Sequence, residues 1–172
     1  MKSMLRGTAF FALLGLAGIA RADEACTQFK WDVSHEHALF QQAATAVTGG
    51  SEAGAAPAVK TETLYALTLV PQDGVHFAVP PRKTRDGAYA GLARLQVAQA
   101  GHYRVSLSAP VWVDVVQGGQ VLPTADFGGS PGCVTPHKVV EFVLPAGQDL
   151  LLEFSGGDSA QVRFSVTAIA AH

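Results

Sequence analysis

Two apolar periods divide the chain. Between residues 32 and 47, Val33, Phe40 and Ala44, with Leu39, Ala43 and Val47 beside them, recur at helical spacing and predict a single helix. Asp32 or Ser34 stands where a helix start needs a cap, and Glu36 lies early, where the positive end of the helix dipole favours an acid. Residues 48 to 61 show no apolar period, are rich in Gly, Ala and Pro, and predict a mobile connector. From residue 62 onward the period becomes two. "ETLYALTLV" predicts a first strand and "GVHFAV" a second, with Val75, Phe77 and Val79 on one face; "YAGLARLQV" predicts a third. In "HYRVSLS", Tyr103, Val105 and Leu107 point inward, and His102, Arg104 and Ser106 outward. "VWVDVV" turns through Gly118-Gly119 into "QVL". A long loop over residues 123 to 136 carries Cys133, and "HKVVEFVL", "LLLEFS" and "QVRFSVTAI" complete the series.

Short strands divided by turns, with no helices between them, predict an all-β fold: an antiparallel β-sandwich, jelly-roll-like, with one N-terminal helix. The domain organisation expected is a signal peptide over 1–22, an N-terminal segment and helix over 23–47, the connector over 48–61 and the sandwich over 62–172.

The signal peptide is read from Lys2 and Arg6 ahead of an uncharged apolar run, Thr8 to Ala20, and from the small residues of Ala20-Arg21-Ala22. The run is short of the roughly 20 residues a membrane span wants, and nothing later resembles one. The expected location is therefore periplasmic or secreted. Cleavage near Ala22 removes three basic residues and no acid, leaving 9 basic against 14 acidic side chains, a net charge of about −5. Such a balance disfavours nucleic acid as a partner. The mature chain keeps two cysteines, Cys26 and Cys133, and in an oxidising compartment an even pair predicts a disulfide. Closing a loop of about 107 residues is worth roughly 4 to 5 kcal/mol in the chain-entropy model.

The stretches "AGHYRVSLS", "WVDVVQGG", "VVEFVLPAGQDLLLEFSGG" and "VRFSVT", between Ala88 and Ile169, resemble bacterial pre-peptidase C-terminal domains and related jelly-roll accessory modules. That resemblance implies a sandwich fold and an accessory or binding role, and it transfers no active-site residue. The chain departs from the pattern in its extra N-terminal cysteine and helix. Its opening part resembles small, uncharacterised exported bacterial proteins, which implies no chemistry.

Four chemistries merit weighing. "CTQFKWDVSHEHALF" concentrates a cysteine and two histidines, so an envelope zinc or copper site from His35, His37 and His137 with the cysteines is the alternative reading. It competes with the disulfide, because paired sulfurs supply no thiolates. "GGSPG" matches the Gly-x-Ser-x-Gly elbow around Ser130, but no helical pattern follows and Pro131 removes the amide that would help build an oxyanion hole. Asp114, Glu141 and Glu153 lie in predicted strands, where acids ordinarily sit on a solvated face, and Asp114 is expected to pair with Arg104 or Arg163. Finally, Trp112, with Asp114, Tyr103 and Arg104, is the candidate ligand-binding set. No catalytic dyad or triad emerges, and no cofactor is expected. The leading expectation is a non-catalytic protein that recognises a partner protein, a glycan or a small ligand.

Overall fold

The computed structural model describes residue 26 and residues 28–169, so the expected signal peptide lies outside the described residues. Helix α1, Ser34–Phe40, precedes strand β1, Thr45–Thr48. The predicted helix over residues 32 to 47 is thus cut to its first half. β-branched Thr45, Val47 and Thr48 favour extended backbone and pair with β3, Tyr65–Thr68. Between them, β2 (Ala58–Val59) pairs with β5 (Tyr89–Leu95), and Gly50 bridges Leu92. The expected mobile connector is therefore woven into the sandwich. Gly50 is needed there, because a Cβ would sit 2.6 Å from the Ala56 backbone.

The remaining strands are β4 (Val70–Pro71), β6 (Gly101–Leu107), β7 (Trp112–Gln117), β8 (Gln120–Val121), β9 (Thr124–Gly129), β10 (Lys138–Leu144), β11 (Leu150–Gly157) and β12 (Gln161–Ala168). They form two packed sheets, ordered β1-β3-β12-β6-β10-β9 and β2-β5-β11-β7-β8, with β4 added beside β5. The all-β sandwich is as expected, and it is not a closed barrel. Two pairings depart from the antiparallel expectation: β1 with β3 and β2 with β5 are parallel. Strand β9 occupies part of the stretch read from sequence as a loop, since "TADFGG" carries no apolar alternation.

Inward rows from both sheets make the main core. Leu67, Val105, Leu107, Val115, Phe142, Leu144, Leu152, Phe154, Phe164 and Val166 are all fully buried there. Phe164 stacks on Tyr65 at 5.4 Å and meets Phe154 at 4.9 Å. The second sheet also buries its outer face. Val75, Phe77 and Val79, expected in a strand, instead lie in a strap that follows a 3-10 turn, Gln72–Gly74, and packs across that face. They cover Ala90, Leu92, Val116 and Leu151. Their alternation was real, but their partner is a sheet surface and not a neighbouring strand. Burial on both faces explains why Leu150, Leu151 and Leu152 follow one another with no polar residue between them.

The N-terminal segment clamps the outer face of the first sheet. Cys26 and Cys133 form the expected disulfide, with Cα atoms 5.0 Å apart. Trp31 lies on Gly128, whose Cβ would stand 2.8 Å from the indole, so glycine permits the contact. The Arg104 guanidinium and the Lys30 ammonium sit 5.0 and 4.6 Å from the Trp31 ring centre. Buried Glu36 accepts hydrogen bonds from Thr167 Oγ1 at 3.0 Å and Arg104 at 3.4 Å. Among the described residues no helix is long and apolar enough to cross a membrane.

Candidate binding cleft

The four residues of the expected ligand set do not meet at one place. Tyr103 faces the main core, and its hydroxyl donates to Gln99 O at 2.8 Å. Arg104 lies beneath α1 on the opposite side of the molecule's first sheet, bonded to Asp32 O and Glu36. Trp112 and Asp114 stand on the second sheet, with the Trp112 Nε1–H donating to Asp114 Oδ2 at 2.9 Å. Asp114 does not pair with Arg104 or Arg163, which belong to the first sheet; its cationic partner is Arg82 of the strap, at 3.5 Å. Arg163 instead donates to Phe40 O and lies 5.5 Å from the Phe40 ring.

Nor are the strand acids solvated. Asp114 and Glu153 oppose each other in the β7–β11 register, and both are buried because the strap covers that face. Glu153 Oε1 accepts the Ala78 N–H at 2.7 Å, whereas Oε2 is buried without a hydrogen-bond partner. Burial raises the Glu153 carboxyl above its ordinary value; the Ala78 and Val79 amides oppose the rise and Asp114 adds to it. Glu141 lies on the other sheet with His102 and Arg104, so the three acids form no common cluster.

The histidines have local partners. His35 Nε2 bonds Glu62, His37 Nδ1 bonds Thr135 O, and His137 Nδ1 bonds Cys133 O. Both sulfurs are consumed by the disulfide, which removes the soft ligands from the metal alternative. Among the described residues no group of three or more His, Cys, Asp or Glu side chains is disposed to hold a metal ion. Ser130 is buried at the end of β9, and its amide donates to His137 O, so no strand-to-helix elbow forms around it.

What the strands do assemble is a lateral cleft. Strand β8 pairs only with the end of β7, leaving the Trp112 end of β7 as an open edge of the second sheet. Strand β9 is the facing edge of the first sheet. The sheets part between these edges around a cavity of about 310 Å³, lined by Val113, Val140, Trp112, Phe127, Lys138 and Arg82 together with Thr124. Val113 and Val140 are core residues and form its floor. Phe127 opposes Val140 in the β9–β10 register, so it faces the same side, yet at the edge it stays 67% exposed. Half-buried Trp112, on the face of β7 that carries Asp114, lines the same cavity from the other sheet.

Lys138 closes one end. It begins the inward row of β10 that continues in Val140 and Phe142, with its ammonium 4.8 Å from the Trp112 ring centre and donating to Val111 O at 3.4 Å. Burial lowers the Lys138 ammonium below the usual lysine value; Asp114 opposes the shift and Lys83 adds to it. A larger depression of about 810 Å³ lies under the strap, but Arg85 beside it is ion-paired with Asp158, and Phe77 and Tyr89 are packed onto the two cores. Of the cleft's residues, only Trp112 was singled out from sequence. Phe127, Lys138 and Arg82 carry no motif, and strand pairing alone brings them together.

The two sheets by themselves define a β-sandwich, and comparison with known proteins assigns it no family. No protein-family model matches the chain, and no curated protein matches it either. Among solved structures, the pre-peptidase C-terminal domain of a collagenase from Bacillus anthracis aligns at 12% identity over 73% of this chain and 97% of that one, with a TM-score of 0.41. The expected resemblance is thus met as a topological likeness. A β-glucosidase from Kluyveromyces marxianus, solved in complex with glucose, aligns at 13% identity over 56% of this chain, with a TM-score of 0.34; the match spans 12% of the β-glucosidase.

Proposed function

We propose that the protein is an exported, non-catalytic recognition module whose ligand site is the lateral cleft between β7 and β9. The carrying observation is a cavity lined by both an exposed phenylalanine and a half-buried tryptophan over core valines. A largely apolar cavity edged by aromatic rings and a few polar groups is the ordinary form of a small-ligand site. Two features support a binding role over a catalytic one: Ser130 is buried in a loop that no helix follows, and Asp114 is held by Trp112 and Arg82. The disulfide supports residence in an oxidising compartment.

A fragment screen by protein-observed NMR tests this reading. Fragments that bind should shift the amides of residues 112, 113, 127, 138 and 140, and Phe127→Ser with Trp112→Ala should abolish those shifts. Shifts that cluster elsewhere, or that survive the double variant, would contradict it.

A further inference from the structure

We infer that the cleft takes an organic monoanion: an apolar or aromatic body carrying one carboxylate. This rests on the cleft being the ligand site and adds the chemistry of what fills it. Size comes first. A volume of about 310 Å³ is roughly twice the 150 Å³ of a cavity that holds benzene, so one ring with a short side chain fits. The lining fixes where each part goes. Val113, Val140, Trp112 and Phe127 offer the body apolar and aromatic surface, and the two cations at the rim, Lys138 and Arg82, face its polar end.

Charge bookkeeping then selects the headgroup. Arg82 is offset by Asp114 at 3.5 Å, and the guanidinium, about half exposed, keeps donors to spare beyond that one contact. Lys138 makes no ion pair among the described residues; its ammonium meets only the Val111 carbonyl and the face of Trp112. The two lining cations counted against Asp114 leave one positive charge in surplus, held against an aromatic wall in a partly desolvated place, and nearby Lys83 adds to the positive field there. A single carboxylate bridging Lys138 and Arg82 neutralises that surplus through charge-assisted hydrogen bonds. A neutral ligand leaves it uncompensated, and a dianion meets the Asp114 carboxylate behind Arg82. The same chemistry is presented by a free small acid and by the C-terminal carboxylate of a peptide ending in an apolar residue.

Isothermal titration of the full mature chain at neutral pH decides the matter with four probes: 3-phenylpropionate, its neutral isostere 3-phenylpropanol, N-acetyl-Gly-Phe, and the amide of that dipeptide. Saturable binding of the acids, with the alcohol and the amide weaker by about tenfold or more, is the expected result. Lys138→Met keeps the apolar stem over Trp112 and should weaken the acids several-fold more than their neutral partners, with Arg82 supplying what preference remains; an undiminished preference for the acids in this variant would overturn the monoanion site. A thermal melt of the variant establishes that it is folded. Tighter binding of the small acid than of the dipeptide marks a free acid as the ligand, and the reverse order marks a peptide end; either order supports the inference. Equal affinity of acid and neutral isostere for the parent protein would overturn the monoanion while leaving the cleft as the site. Failure of all four probes to bind at millimolar concentration would overturn both.

Discussion

Glu153 offers a sharp test of how the strap is held. Its carboxyl is buried opposite Asp114; one oxygen accepts the Ala78 amide and the other accepts nothing. Leaving a buried polar atom unsatisfied costs about 1–3 kcal/mol, and more when the group is charged. Glu153→Gln keeps the acceptor for Ala78, removes the charge and offers Asp114 an amide donor across the strand pair. The folded carboxyl is raised above its ordinary value of 4.5. Protonation therefore favours the folded state, and the stability Glu153 contributes is present below the ordinary value and lost as pH rises through the raised one. The parent and variant should thus be nearly equal in stability near pH 4, with the variant ahead by about 1–2 kcal/mol near pH 8. Urea melts of both proteins across that range give the difference, in which the titration of carboxylates remote from Glu153 cancels. Amide exchange at Ala78 should slow in the variant at the higher pH. A difference that does not grow with pH, or a variant less stable near pH 8, would refute the assignment of a buried, charge-averse Glu153.

Replacing both Cys26 and Cys133 by alanine should lower stability by roughly 4 to 5 kcal/mol, read from denaturant midpoints, because the bridge closes a loop of 107 residues; a loss under about 1 kcal/mol would mean the clamp holds without it. Gly128→Val puts a side chain where Trp31 lies, with the first new carbon 2.8 Å from the indole. It should cost about 1–3 kcal/mol and red-shift the fluorescence of one of the two tryptophans, whereas an unchanged spectrum would deny the contact. Phe164→Ala removes a fully buried ring that stacks on Tyr65 and meets Phe154 at a tilt, and a loss of about 3–5 kcal/mol in chemical denaturation is expected.

The legible part of this molecule was the part governed by local alternation. Tyr103, Val105 and Leu107, and likewise Val162, Phe164 and Val166, pointed inward as a period of two requires. The N-terminal disulfide was legible from the even cysteine count joined to the expected export. Where one pattern served two structures, the reading failed. Val47 continued the helical row of Phe40 and Ala44, yet it lies in β1, because its β-branched neighbours and the edge of β3 outweighed the period. Val75, Phe77 and Val79 alternated like a strand but pack as a strap, since alternation reports a buried face and not a hydrogen-bonded neighbour. The same strap buried Asp114 and Glu153 on a face expected to be wet. The cleft was least visible of all. Arg82, Trp112, Phe127 and Lys138 come from four separate segments, and Phe127 lay in a stretch whose glycines read as a loop. Those glycines have another cause: Gly128 makes room for Trp31 on the opposite side of β9.

The cleft itself can be tested with one spectrum. The chain has two tryptophans, so two indole N–H signals report separately on the clamp and on the cleft. Titration with 3-phenylpropionate should move the Trp112 indole signal along a saturating curve while the Trp31 signal stays in place. Movement of Trp31 alone, or no movement of Trp112 at saturation, would contradict the assignment of the β7–β9 cleft as the place where this protein binds its ligand.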